Sequence, residues 1–320
     1  MPVSNLIPPA RRRPRAAIAA ALLAISACAP SGPAGPGPSG TNPAQTSGTP
    51  LGFDTSIYPG DAAMRAWRTA SPYRWVGYYL PAPCHRDPSW SGKRASLQQM
   101  GWGTAVVYLG QQDWVNAAPA QPAPPAPLTP APVPAPADST RPDSAAAPVA
   151  PAAPALPAEP GQCATVRLTT QQGTAEADDA IAKAQAEGFA PGTAIFLDVE
   201  RVRAVSPALA GYVRAWVERV LTQGRYRPAL YVHAFNAQAL FDVARVPYDS
   251  RGLTTRPLFW VASPAGFARD RAPADLGFAF ADAWQGQFHV TETYGGFPLM
   301  IDVNVSTAQF PNAAPAGAPR

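Results

Sequence analysis

Proline decides first what this chain can fold into. There are 41 prolines among 320 residues, and proline is excluded from helix interiors and central strands. The densest runs fall in two stretches, residues 29–50 and 117–160. The first combines Pro, Gly and Ser with almost no apolar bulk, so it cannot bury enough surface to fold. It reads as a flexible tether covering residues 28–50. The second is nearly all Pro and Ala, a semi-extended polyproline-type segment. The piece before it, residues 51–116, has too few elements to close a core alone. Residues 117–160 are therefore read as a disordered insertion in a surface loop of one domain spanning 51–310, since loop-closure cost grows only slowly with length. A plain interdomain linker is the competing reading. Residues 311–320 read as a disordered tail.

The N-terminus carries Arg11, Arg12, Arg13 and Arg15, followed by an apolar run from Ala16 to Ile25. The run is too short to span a bilayer and fits the h-region of a signal peptide, residues 1–27. It ends in Ile25-Ser26-Ala27-Cys28, which resembles the bacterial lipobox. That resemblance implies acylation of Cys28 and export to the cell envelope, with a lipid anchor in a membrane. Without the four arginines the chain has 21 basic and 21 acidic residues. The formal charge of +4 therefore belongs to the removable segment, and a nucleic-acid partner, which needs a basic patch on the folded part, is not expected. Cys84 precedes the Pro-rich insertion and Cys163 follows it. In an exported protein the two are expected to pair, and a chain-entropy model assigns such a clamp roughly 4 kcal/mol.

Eight short apolar runs rich in Val, Ile, Phe, Tyr and Trp read as strands: Leu51–Asp54, Trp75–Leu80, Thr104–Leu109, Ala194–Val199, Pro228–His233, Pro257–Ala262, Phe278–Trp284 and Met300–Val305. Helical patterns alternate with them. The clearest runs from a Ser206 cap through Pro207 to Gly224, with Leu209, Tyr212, Val213, Trp216, Val217, Val220 and Leu221 on one stripe. Others are expected over Thr174–Glu187 and from Asp61. Strand and helix in alternation with eight strands predict an α/β fold of the (β/α)8 TIM-barrel type, small or irregular. A doubly wound open sheet is the alternative.

Three of these strands carry carboxylates on a face that should be interior. In Ile195-Phe196-Leu197-Asp198-Val199-Glu200 the residues alternate, so Asp198 and Glu200 share a face with Phe196. Asp302 and Asn304 share one face of the last strand, and Asp54 stands at the end of the first. Strand ends at the C-terminal mouth are where barrel enzymes place reactive groups. Inward carboxylates are costly unless they serve a site. Clustering is expected to raise one pKa and leave a protonated acid beside an ionised partner. Asp198 and Glu200 have Cα atoms roughly 6.5–7 Å apart, a spacing open to two-carboxylate glycoside hydrolysis. A lone Asp-x-Glu is common at solvated strand ends; the repetition on three strands argues for a site.

These residues resemble glycoside hydrolase family 25, the lysozyme-type muramidases, and the related bacterial domain described only as glycoside-hydrolase-like. The matching motifs are Gly52-Phe53-Asp54-Thr55-Ser56, Phe196-Leu197-Asp198-Val199-Glu200 and Ile301-Asp302-Val303-Asn304, with weaker matches at Tyr231, Trp260 and Trp284-Gln285. The resemblance implies Glu200 as general acid and Asp198 as stabiliser of an oxocarbenium-like centre, with Asp54 and Asp302 shaping the site. It implies a peptidoglycan β-1,4 bond as substrate. Tyr231, Trp260, Trp284, Gln285 and Asn304 are candidate substrate contacts, with core packing the competing role for either Trp. No cofactor and no metal are expected, because His85 and the other candidate ligands lack zinc spacing. The expected partners are a cell-wall glycan and, through the anchor, a membrane, and the chain is read as a monomer. A glycan-binding protein that does not cut, and a structural lipoprotein, are the other classes left open.

Overall fold

A computed structural model describes residues 49–117 and 163–307. The expected signal peptide, the lipidation site Cys28, nearly all of the tether, residues 118–160 of the insertion and the tail at 311–320 lie outside the described residues.

Eight strands close into one barrel in the order of the chain. They are β1 (Leu51–Asp54), β2 (Trp75–Tyr79), β3 (Gly103–Leu109), β4 (Ala194–Val199), β5 (Arg227–His233), β6 (Leu258–Ala262), β7 (Ala281–Tyr294) and β8 (Phe297–Ser306). Five helices lie in the first five connections: α1 (Asp61–Ala70), α2 (Arg94–Met100), α3 (Thr170–Ala186), α4 (Pro207–Gln223) and α5 (Ala234–Asp249). The α/β barrel expected from the sequence is thus the observed fold. β3 and β4 pair directly, so the Pro/Ala-rich segment leaves and re-enters between neighbouring strands of one barrel. At its foot Cys84 and Cys163 form a disulfide with Cα atoms 5.0 Å apart.

The eightfold pattern breaks after β6. Only a short 3-10 turn at Pro273–Leu276 stands between β6 and β7, and β7 and β8 are joined by a tight hairpin. β8 runs antiparallel to both β7 and β1. Tyr294 faces Phe297 across Gly295 and Gly296, whose φ values of 58° and 83° are those of a two-residue hairpin turn. The hairpin extends past the barrel onto α1, where the Trp67 indole donates to the Phe297 carbonyl at 2.8 Å. β7 and β8 are consequently longer than the apolar runs that mark them, because the extension pairs through polar residues such as Thr291 and Thr293.

Other elements follow their local chemistry. Ser206 caps α4 by accepting the Leu209 N–H at 3.2 Å, Pro207 takes the first turn, and Gly224 ends the helix in the left-handed region. α3 begins four residues before its expected start, because the Thr169 side chain caps it by accepting the Gln172 N–H. β4 is buried along its whole length, as a strand covered on both faces must be. Its outward residues Ile195, Leu197 and Val199 join the large core between barrel and helices. Its inward residues Ala194 and Phe196 join a smaller core inside the barrel with Trp75, Ala105, Val107, Ala229, Trp260 and Ala283. Gly52 makes room there: a Cβ on it would sit 2.1 Å from the Trp75 ring.

Candidate active site

One inward step above that inner core, the strands change character. Asp54 ends β1, buried, and a Cβ at Gly77 on neighbouring β2 would fall 2.7 Å from its Cβ, so glycine admits the carboxylate. Tyr79, the next inward residue of β2, donates its hydroxyl to Asp54 Oδ1 at 2.8 Å. Asn304 Nδ2 donates to Asp54 Oδ2 at 2.7 Å, and Gln285 Nε2 to the same oxygen at 3.2 Å. Gln285 also donates to Asp302 Oδ2 at 2.8 Å and accepts the Tyr231 hydroxyl. Trp260 Nε1 donates to Asn304 Oδ1 at 2.9 Å. Asp54 and Asp302 are direct cross-strand partners on β1 and β8.

A distortion in β7 completes the hold on Asp302. The register slips between Gln285 and Val290, and His289 takes a φ of 51°. A bulge re-aims backbone groups in this way, and here it turns the His289 N–H onto Asp302 Oδ1 at 2.6 Å.

On the far wall, Asp198 is buried and its Oδ1 has no hydrogen-bond partner. Glu200, two residues on, is exposed to solvent. Gln112, in the loop after β3, holds the backbone between them. Its Nε2 donates to the Asp198 carbonyl at 2.8 Å, and its Oε1 accepts the Glu200 N–H at 2.9 Å.

The electrostatics follow from burial. Loss of hydration raises Asp54 first and the charge of Asp302 second, against the hydrogen bonds from Asn304, Tyr79 and Gln285; its pKa is pushed up to about 8. Burial holds Asp198 well above the usual carboxylate range, with Glu200 and then Asp54 adding repulsion. Asp302 is raised by burial, opposed by the His289 N–H. Glu200 is raised by partial desolvation in the concave mouth, opposed by the Arg201 N–H, with Asp302 pushing it further up. Because its side chain reaches water, Glu200 can exchange its proton with solvent. Tyr79 and Tyr231, half-buried with their hydroxyls turned in beside these carboxylates, are held well above the usual phenol range by loss of hydration first and by the neighbouring negative charges second, and stay neutral donors. The arrangement can therefore retain protons on carboxyl groups near neutral pH.

The five candidate substrate contacts divide differently from expectation. Tyr231 is half-buried in the mouth, whereas Gln285 and Asn304 are buried and fully engaged with Asp54 and Asp302. Trp260 is shut inside the barrel, edge-on to Trp75 and Phe196, with no face free for a sugar. Trp284 lies on the opposite face of β7 from Gln285, buried, with its N–H on the Ser263 carbonyl and its ring against Phe267. Neither indole is a stacking platform. Tyr79, Gln112 and the His289 N–H were not foreseen. Alternation along Trp75-Val76-Gly77-Tyr78-Tyr79 could have pointed to Tyr79, whereas nothing local marks the other two. His233 caps α5 through Nδ1, 3.2 Å from the Phe235 N–H, and burial and the nearby Arg201 lower its pKa to about 4. Among the described residues no group of three or more His, Cys, Asp or Glu is placed to hold a metal ion.

A family profile described as an Rv2525c-like, glycoside hydrolase-like domain matches residues 65–306. Asp198, Glu200 and Asp302 fall within the match, and Asp54 precedes it. No curated protein matches the chain. Among solved structures it is similar to the spore cortex lytic enzyme SleM of Clostridium perfringens, with 13% identity, a TM-score of 0.48, and coverage of 83% of this chain and 68% of that one. It is similar to an uncharacterized protein of B. stearothermophilus, with 15% identity, a TM-score of 0.46, and coverage of 80% and 95%. It is also similar to a glycosyl hydrolase 25 of Streptococcus pneumoniae named as the virulence factor GHIP, with 13% identity, a TM-score of 0.45, and coverage of 81% and 87%. At these identities and scores the three carry no argument about chemistry.

Proposed function

The chain belongs to the Rv2525c-like glycoside hydrolase-like family, and on that premise we propose that it hydrolyses peptidoglycan or a related wall glycan. The observation that carries the reading is the contrast within β4. Asp198 is buried with an unpartnered carboxylate oxygen, and Glu200 beside it reaches solvent with a raised pKa. Asp54 and Asp302 have their oxygens engaged by protein donors. They act as a fixed background that keeps protons in the mouth.

Glu200 donates its proton to the glycosidic oxygen as the C–O bond breaks. Asp198 faces the anomeric carbon, where positive charge builds, and its own proton affinity falls as that charge appears. Water then adds to the anomeric carbon and returns a proton to Glu200, so the acid is regenerated. Activity should be greatest where Glu200 is protonated and fall as pH rises through its elevated pKa.

The test is reducing-end release from purified peptidoglycan by the mature domain, beside Glu200→Gln. The expected loss is about 10²–10⁴-fold with thermal stability no lower than that of wild type. Equal release by both proteins would remove Glu200 from the mechanism. Glycan binding without release by either would favour a non-cutting binding module.

We also propose that the protein is exported and acylated at Cys28, which would place the domain beside the wall on a tether. The basic run, short apolar run and Ser26-Ala27-Cys28 support this. Mass spectrometry of the mature N-terminus should find a lipidated Cys28, and a Cys28→Ala variant should lose membrane association. A free, unmodified N-terminus would end the anchoring proposal.

A further inference from the structure

The end of β4 is finished by a side chain rather than by a strand. Leu109 pairs with Asp198 in the parallel register, and β3 stops there. In a parallel ladder, the residue opposite Val199 would donate its N–H to the Asp198 carbonyl and accept the Glu200 N–H. Those two bonds are made instead by the Gln112 amide, at 2.8 Å and 2.9 Å. Its Nε2 also lies 3.2 Å from the Gly110 carbonyl, and the residue is 1% exposed. One carboxamide thus takes the place of a missing backbone residue at the position from which Glu200 departs.

Gln112 is itself held from both sides. Gln111 Nε2 donates to Glu176 at 2.9 Å, and the Gln111 N–H meets the Tyr212 hydroxyl at 3.1 Å. Asp113 accepts Ser206 Oγ at 2.7 Å, which ties the loop to the cap of α4. Ala164, beside the disulfide residue Cys163, donates its N–H to Gln111 Oε1 at 2.7 Å, and Thr165 Oγ1 donates to the Gln112 carbonyl at 3.3 Å. The two roots of the Pro/Ala-rich segment therefore frame the amide.

We propose that Gln112 is the positioning residue of the site: by fixing the Glu200 backbone N–H it sets the direction in which the Glu200 carboxyl enters the barrel mouth. Its consequence for turnover rests on the reading of Glu200 as the acid, whereas its consequence for the Glu200 backbone does not.

The experiment follows amide hydrogen exchange and turnover together in wild type, Gln112→Met and Gln112→Glu. In wild type the Glu200 amide should exchange slowly although its side chain is exposed. In Gln112→Met, which keeps the length and loses both bonds, that amide should exchange at least about tenfold faster, while Leu197 and Val232 keep their protection. Turnover should fall about 100-fold, the cost of a misplacement near 1 Å, with KM within a few-fold of wild type. Gln112→Glu keeps an acceptor for the Glu200 N–H and should restore its protection; turnover should return only at low pH, where the new carboxyl is protonated and can donate to Asp198. A Glu200 amide that exchanges fast in wild type, or equally slowly in Gln112→Met, would overturn the proposal even if a variant fails to fold. If wild type releases no reducing ends, the hydrolase reading fails while the exchange data still decide the role of Gln112.

Discussion

In the lower half of the barrel interior, Trp75 and Phe196 meet the Trp260 indole edge to face, at centroid distances of 5.4 and 5.8 Å, among Ala105, Ala194, Ala229 and Ala283. One inward step along the same strands, the upper half holds Tyr79, Asp198, Tyr231 and Gln285, with Asp54, Asp302 and Asn304 from the two strands that close the barrel. The strands, their twist and the width of the barrel are shared. What differs is the supply of donors. The upper layer aims two carboxamides, the Tyr79 phenol and a bulged backbone N–H at Asp54 and Asp302, and the Tyr231 hydroxyl donates to one of those carboxamides, Gln285. The lower layer is made of rings and methyl groups. Burial by itself therefore does not decide which side chain a barrel position tolerates; the partners two residues away in space do.

The largest effect should come from moving the chemistry of one layer into the other. Phe196→Asp removes a buried ring, a loss of about 3–5 kcal/mol by itself. It also buries a carboxyl without donors, which takes the total into the range of a whole domain's stability, about 5–15 kcal/mol. The variant should show no cooperative urea transition. A midpoint near wild type would mean that the lower layer can hydrate or rearrange, and the contrast would collapse.

Next in size is the pH dependence that the upper layer imposes. Asp54 has an ordinary pKa of 3.8 when unfolded and about 8 when folded. Below pH 3.8 both states are protonated. Between that value and about 8 the folded state keeps a proton that the unfolded state has lost, so stability falls as pH rises through the window. Asp198, Glu200 and Asp302 are raised too and act in the same direction. The urea midpoint should be higher at pH 5 than at pH 8.5. Asp54→Asn, which mimics the protonated form toward Tyr79 and Asn304, should stabilise the domain more at pH 8.5 than at pH 5, by up to about 4 kcal/mol. A wild-type midpoint that climbs with pH would show that the donors, not burial, dominate Asp54.

The two layers were unequally legible in the sequence. Runs of Val, Ile and Phe place all eight strands, and alternation turns Asp54, Asp198, Glu200 and Asp302 inward, because period two is a local property of the chain. The direction of β8 depends on the two-residue link Gly295-Gly296 between polar strands, a hairpin signature that apolar runs alone pass over. Trp284 and Gln285 could not both serve the site, since adjacent strand residues face opposite ways; only the pairing register decides which turns inward. The hold of Gln112 on β4 and of the His289 N–H on Asp302 joins residues 88 and 13 positions apart. It arises from a strand that stops short and a strand that bulges, neither of which has a local signature. α5 escaped notice because its apolar face is interrupted by Pro247, which the last turn of the helix accommodates.

Trp260 joins the layers, with its ring below and its N–H above. Trp260→Phe keeps an aromatic filler for Trp75 and Phe196 and strands the Asn304 Oδ1, an unsatisfied buried acceptor costing about 1–3 kcal/mol. Asn304 is then free to turn, Asp54 loses a donor that lowers its pKa, and the fall in stability with pH should shift to higher pH. Unchanged pH behaviour would show that Asn304 is held without the indole.

Trp284→Phe is the matching change on the outer face of the same wall and should be the smallest effect. It too deletes an indole N–H, the one on the Ser263 carbonyl at 2.8 Å, and leaves the edge contact with Phe267 to a smaller ring. Ser263 stands just past the end of β6 and is 5% exposed against 0% for Asn304, so the loss should fall at the lower end of about 1–3 kcal/mol. The decisive quantity is again pH dependence. The Trp284 side chain meets Ser263, Phe267 and Arg271 rather than the donors of Asp54 and Asp302, so the curve of stability against pH should move down without changing shape. Since both substitutions remove the same chemistry from the same sheet, a displaced titration in Trp284→Phe would mean that any loss of packing in the wall reaches Asp54. The donors would then lose their special place, and general rigidity of the barrel would have to account for the protons held in its mouth.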